Sequence, residues 1–140
     1  MYRFLILFFL SGLCQAQTGW DLLATTQIVK GHDPFLNEEI ELPDFSEKLL
    51  ASEGSQITLE GFIIPLQQNT EQDFFVLSRF PFQSCFFCGA AGPETVVEVY
   101  SDKKVSFTDE QVRVSGTLYL NPDDPLHLFF VLKNCKVTSL

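Results

Sequence analysis

Positive charge is scarce in this sequence. Nine Lys and Arg residues stand against 18 Asp and Glu in 140 residues, a formal net charge of −9. A surface of that sign repels phosphate backbones, so nucleic acid is not an expected partner. There are two histidines, one tryptophan and one methionine. There is no G-x-S-x-G, no H-E-x-x-H and no phosphate-binding loop. Asp123-Asp124 is not followed by a D-x-D-x-D-G run and reads as a solvated turn, not a calcium loop. Ser84 precedes Cys85 without a base nearby in sequence, which leaves nucleophilic catalysis unsupported. These absences together favour a protein that is not an enzyme. Beyond the first residues, no apolar run is long enough to cross a membrane.

What is present is apolar and aromatic. Hydrophobic residues make up 46% of the chain and 15 residues are phenylalanine. That composition excludes a disordered chain and supports one domain with one core. The chain opens with the features of a signal peptide: Arg3, then the apolar run Phe4-Leu5-Ile6-Leu7-Phe8-Phe9-Leu10, then small residues up to Ala16. The expectation is cleavage after residue 16 and a secreted or periplasmic protein beginning at Gln17. Cys14 offers the rival reading of a lipid anchor, but Gly12-Leu13 sets the glycine one position too early for the usual pattern.

The remaining chain divides into a 17–54 extension and a 55–140 β domain. In the extension, residues 19–24 make a short helical turn, Thr25-Thr26-Gln27-Ile28-Val29 an edge strand, and Lys30-Gly31-His32-Asp33-Pro34 a turn. A helix of about two turns spans 44–51, with Phe45, Leu49 and Leu50 on one face, and Gly54 ends it. From Ser55 onward five strands are expected, near 55–66, 74–78, 95–100, 111–120 and 126–137. They are separated by a polar loop at 67–73, the cysteine-bearing loop, a turn at Ser101-Asp102-Lys103-Lys104 and the cluster Asn121-Pro122-Asp123-Asp124-Pro125. Ile57-Thr58-Leu59-Glu60-Gly61 and Val112-Arg113-Val114-Ser115-Gly116 alternate apolar and polar residues and then place glycine mid-strand. Such glycines permit the coiling of a small closed barrel. The expected fold is all-β: a small five-stranded OB-like barrel with a short N-terminal helical extension.

The chemistry concentrates in Ser84-Cys85-Phe86-Phe87-Cys88-Gly89-Ala90-Ala91-Gly92-Pro93-Glu94. Cys85 and Cys88 stand at C-x-x-C spacing, which suits metal chelation, a small disulfide ring or thiol exchange. With Cys14 removed, three cysteines remain, an odd number that one chain cannot pair completely. A zinc site needs two more ligands, for which Cys135, His32, His127 and Glu94 are the candidates. Two thiolates alone can hold Cu(I). Gly89 to Pro93 cannot continue a good helix, which argues against a thioredoxin-like redox site. His127, alternating with apolar residues in Pro125-Leu126-His127-Leu128-Phe129, reads as a solvent-facing strand residue. His32 reads as polar turn surface. Phe80, Phe82, Phe86 and Phe87 surround the cysteines, and Phe86 and Phe87 point opposite ways if the loop is extended.

Several stretches resemble small secreted bacterial proteins of a domain-of-unknown-function group with an OB-like barrel. They are Trp20-Asp21-Leu22-Leu23-Ala24, Gly61-Phe62-Ile63-Ile64-Pro65-Leu66, Phe75-Val76-Leu77-Ser78, and Cys85-Phe86-Phe87-Cys88-Gly89 with Gly92-Pro93-Glu94. The wider group is often encoded near metal-transport or ABC-permease genes, and it usually carries a cysteine followed by a histidine and prolines. This chain has a second cysteine and Gly-Ala-Ala-Gly-Pro there. The resemblance implies a fold and a compartment; the C-x-x-C pair adds the expectation of an exported binding protein that handles zinc or copper through Cys85 and Cys88. One alternative is a protein-interaction module of an envelope or transporter complex, with a structural disulfide. The other is a thiol oxidoreductase.

Overall fold

The computed structural model describes residues 15–66, 71–84 and 86–140. Residues 1–14, within the expected signal peptide of 1–16, loop residues 67–70 and Cys85 lie outside the described residues. Two helices and seven strands follow in the order α1 (Gln15–Leu23), β1 (Gln27–Asp33), β2 (Glu38–Asp44), α2 (Glu47–Ala51), β3 (Gln56–Ile64), β4 (Glu71–Ser78), β5 (Val96–Ser106), β6 (Val112–Leu120) and β7 (Phe130–Ser139). β1 and β2 form a separate antiparallel hairpin. The other five close into a barrel of order β3-β4-β5-β7-β6, with β6 returning to β3. Every barrel pairing is antiparallel except β5 with β7. The expected all-β, five-stranded OB-like barrel is thus observed, with its short helices near the N-terminus.

Alternation decides which side chains enter the barrel. Leu59 and Ile63 of β3, Phe75 and Leu77 of β4, Val97 and Val99 of β5, Val112, Val114 and Leu118 of β6, and Phe130, Leu132 and Cys135 of β7 form one buried cluster. Trp20, Leu23 and Leu49 belong to the same cluster, so α1 and α2 complete the barrel core. The Trp20 indole donates from Nε1 to the Glu60 carbonyl at 2.8 Å. Phe45 packs on Phe130 with ring centroids 5.9 Å apart. α2 starts at Ser46, whose hydroxyl accepts from the Leu49 N–H, and the chain leaves through Gly54 at φ 78°. Leu49 is buried as expected, but Leu50 is half exposed because so short a helix offers the core only one side.

The two mid-strand glycines sit where the sheet must bend. β3 pairs with β6 as far as Gly61 and with β4 from Phe62 onward, so Gly61 marks the change of partner. A Cβ there would strike the Ser78 carbonyl. Gly116 lies at the register shift between β6 and β7, facing a bulge in which Asn134 takes φ 53°.

Three local expectations are corrected. Lys30–Asp33 is strand, not turn: cross-strand pairing with 38–41 captures it, and the reversal moves to 34–37. The polar Ser101-Asp102-Lys103-Lys104 stretch is part of β5. It is accommodated as a bulge, because β4 places one residue between Gln72 and Phe74 where β5 places four between Tyr100 and Val105. The last strand begins at Phe130, not 126, because Asn121 holds the preceding residues in a loop. Its amide Nδ2 donates to the carbonyls of Asp124, His127 and Leu128, and its Oδ1 accepts from the Asp124 N–H.

Candidate functional site

The cysteine-bearing loop, 79–95, connects β4 to β5 and is pinned at its base. The Arg79 N–H donates to the Thr95 carbonyl, and the Thr95 hydroxyl to that of Gly92. Within it, Phe86–Cys88 form a 3-10 turn, closed by Gly89 N–H to the Phe86 carbonyl at 2.8 Å. Gly89 then takes φ 74°, which ends the turn. Phe86 packs on a second small apolar cluster of Ile64, Val76 and Val96, on the outside of the barrel. Phe87 meets Phe86 edge-on at 5.6 Å and is half exposed. One of the paired phenylalanines is therefore an anchor and the other faces water.

The remaining candidate ligands are spread over different parts of the fold. Cys135 is 1% exposed and lies in the barrel core. Its strand partner is Ser101, five residues along β5 from Val96, where the loop joins the sheet. At about 3.3 Å per residue that is roughly 17 Å of strand. Burial also pushes its thiol pKa up to about 11, against thiolate formation. His32 is exposed on β1 opposite Glu39, in the separate hairpin. Glu94 folds its carboxylate over Gly92, where a Cβ would meet it. Among the described residues, no group of three or more His, Cys, Asp or Glu side chains is placed to hold a metal.

His127 occupies a different place from the strand position expected of it. It sits in the β6–β7 loop, with Nδ1 3.0 Å from Glu98 Oε2. Glu98 is on the outer side of β5, 4% exposed, and has three partners in all: the Leu128 N–H at 2.7 Å, the Tyr100 hydroxyl at 3.2 Å and the imidazole. Leu128 packs on the same cluster as Phe86, so the cysteine-bearing loop and the β6–β7 loop share one foothold on the barrel wall. The hydrogen bond that Glu98 accepts, then its charge, raises the His127 pKa above 6.5. Burial, followed by the Glu98 charge, raises that of Tyr100. A carboxylate so enclosed by donors is a positioning group: it fixes His127 and the loop, and has little lone-pair capacity left for a reaction. The signal for it in the sequence was one charge set among the valines of Val96-Val97-Glu98-Val99.

Beside His127 lies a cavity of about 530 Å³, walled by Tyr100, Tyr119 and Val131 and edged by Lys133, whose Nζ stands 4.8 Å from the centre of the Tyr119 ring. Phe74 stacks on the far side of Tyr100 at 4.8 Å. Compared with known protein families, characterised proteins and solved structures, the chain matches none.

Proposed function

We propose that this is an exported, non-enzymatic binding protein that handles one soft or borderline metal ion, zinc or Cu(I), through Cys85 and Cys88. The observation that carries this reading is the anchored turn that ends at Cys88. The C-x-x-C spacing itself suits chelation of one ion by two thiolates. The hydrogen bond from Gly89 to Phe86 and the packing of Phe86 hold the 86–88 turn against the barrel. Thiolates as a ligand type suit soft ions. The burial of Cys135 removes it from the ligand set.

A metal titration of reduced protein tests the reading. Wild type should bind one ion per chain, release protons on binding and bind more weakly in acid. Cys85→Ser and Cys88→Ser should each abolish binding, whereas Cys135→Ala should leave the stoichiometry at one. Cys135 should stay unreactive toward a thiol reagent until the barrel unfolds, as its raised pKa and burial require. Freshly exported protein with a single free thiol and no metal would overturn the metal reading.

That outcome would favour the second reading, a protein-interaction module of an envelope or transporter complex in which the two cysteines form a staple. The half-exposed Phe87 and the exposed Phe80 beside the loop support it. A thiol oxidoreductase has no comparable support, since Phe86–Cys88 is a three-residue turn with no helix beyond it to lower a thiol pKa.

A further inference from the structure

The β1–β2 hairpin is poorly explained by the fold of a single copy. No residue from 27 to 44 is buried, and none belongs to either hydrophobic cluster. Its tip presents Phe35 at 95% exposure and Leu36 at 67%. The tip is nevertheless built to one shape. The Asp33 carboxylate accepts the N–H groups of Phe35 (2.7 Å) and Leu36 (3.1 Å), and the Asn37 N–H donates to the Asp33 carbonyl (2.8 Å), with Asn37 at φ 55°. A preformed turn that holds two apolar side chains in water has the character of an interface anchor. Around them stand Asp33, Glu38, Glu39, Glu41 and Asp44, against Lys30 alone, which is already paired with Glu39 at 3.2 Å.

The opposite chemistry lies on the barrel wall. Four of the six lysines, Lys103, Lys104, Lys133 and Lys136, are on β5 and β7, which the parallel pairing of Ser101 with Cys135 sets side by side. All four are exposed. A second hollow of about 360 Å³, lined by Lys103, Lys104 and Lys136, shares Ser101 and Asp102 with the lining of the Tyr100–Tyr119 cavity. Asp102 is the one carboxylate among the residues lining the two. The groove therefore offers aromatic walls and a cationic margin in a chain of net charge −9.

We propose that the β1–β2 hairpin of one copy docks tip-first into the Tyr100–Tyr119 groove of a second copy, with Phe35 and Leu36 against the tyrosines and the hairpin carboxylates against the β5–β7 lysines. The second copy is the occupant because the chain itself carries both complementary halves, apolar tip with acidic flanks and apolar groove with basic margin. The contact is heterologous: each copy uses its hairpin on one neighbour and its groove on another, which builds a ring or an open chain. The inference is independent of the cysteines.

The test is sedimentation of the exported chain across a wide concentration range, in reducing buffer with a chelator, so that neither disulfides nor metal bridges join copies. Wild type should form species that grow beyond a dimer. Phe35→Ser should weaken association at least about thirtyfold, the loss expected of a central anchor. Lys133→Glu combined with Lys136→Glu should do the same. These residues are exposed, so each variant should melt as wild type does, checked by circular dichroism. An equimolar mixture of the two variants retains one intact tip and one intact groove per pair and should give a dimer and nothing larger. A wild type that stays monomeric throughout, a Phe35→Ser chain that assembles like wild type, or a mixture that remains monomeric would each overturn the proposal.

Discussion

Gly116 on β6 lies directly against Cys135 on β7: a Cβ at 116 would overlap the sulfur and reach within 3.0 Å of the Lys133 carbonyl. The barrel bends there because β7 carries two residues opposite one on β6. Gly116→Ala should destabilise by about 1–3 kcal/mol through forced displacement in a packed interior. Because one offending atom is the Cys135 sulfur, the cost should shrink in a Cys135→Ala background. A double-mutant cycle read by denaturant unfolding should show this coupling. Additive effects would mean that the backbone carbonyl alone sets the cost.

The pair formed by His127 and Glu98 predicts a pH dependence. Folding raises the His127 pKa above its ordinary 6.5, first through the Glu98 hydrogen bond and then through the Glu98 charge. The folded state therefore binds the proton more tightly than the unfolded state. The stabilisation is fully present below pH 6.5 and is lost as pH rises through the raised value. Following the His127 ring by NMR should show titration above 6.5 in wild type and closer to 6.5 in Glu98→Gln. The part of the stability curve that declines with rising pH in this range should flatten in His127→Ala. A wild-type ring that titrates at or below 6.5 contradicts the pairing.

Trp20 tests whether the N-terminal helices belong to the barrel. It is 3% exposed, shares the core cluster with Leu59 and Phe75, and donates to the Glu60 carbonyl. Trp20→Ala should cost about 3–5 kcal/mol, as for other large buried aromatics. Trp20→Phe, which keeps most of the apolar area and loses the N–H donor, should cost less. If both substitutions leave the melting temperature unchanged, α1 is an appendage and not part of the core.

Much of the barrel was legible because local patterns carry it. Ile57 to Gly61 and Val112 to Gly116 alternate with period two and then break at glycine, and both glycines prove to sit where strands change partner or face a bulge. The Asn121 to Pro125 cluster marked a reversal that the structure keeps. The misread segments were those that tertiary partners override. Lys103 and Lys104 have turn chemistry, yet β4 and β7 on either side draw them into β5 as a bulge. Leu126 to Phe129 have strand chemistry, yet the Asn121 amide and the Glu98 carboxylate bind their backbone into a loop. His127 was accordingly expected on a strand facing solvent and is found against a buried carboxylate.

The sequence by itself determined the class of fold, the number of barrel strands, the positions of their bends and the two residues, Cys85 and Cys88, on which metal chemistry can be proposed. Those properties follow from period-two alternation, from glycine and proline, and from spacing within a few residues. Only the tertiary structure decided that Cys135 is sealed in the core, that Trp20 and Leu49 complete that core, and that Glu98 gathers three donors. It also decided that four lysines on β5 and β7 meet beside two tyrosines while an acidic hairpin stands away from its own barrel. Burial, charge and hydrogen bonding at those positions are set by residues tens of positions away in the chain, brought alongside by strand register, and no local pattern records which strand will be the neighbour.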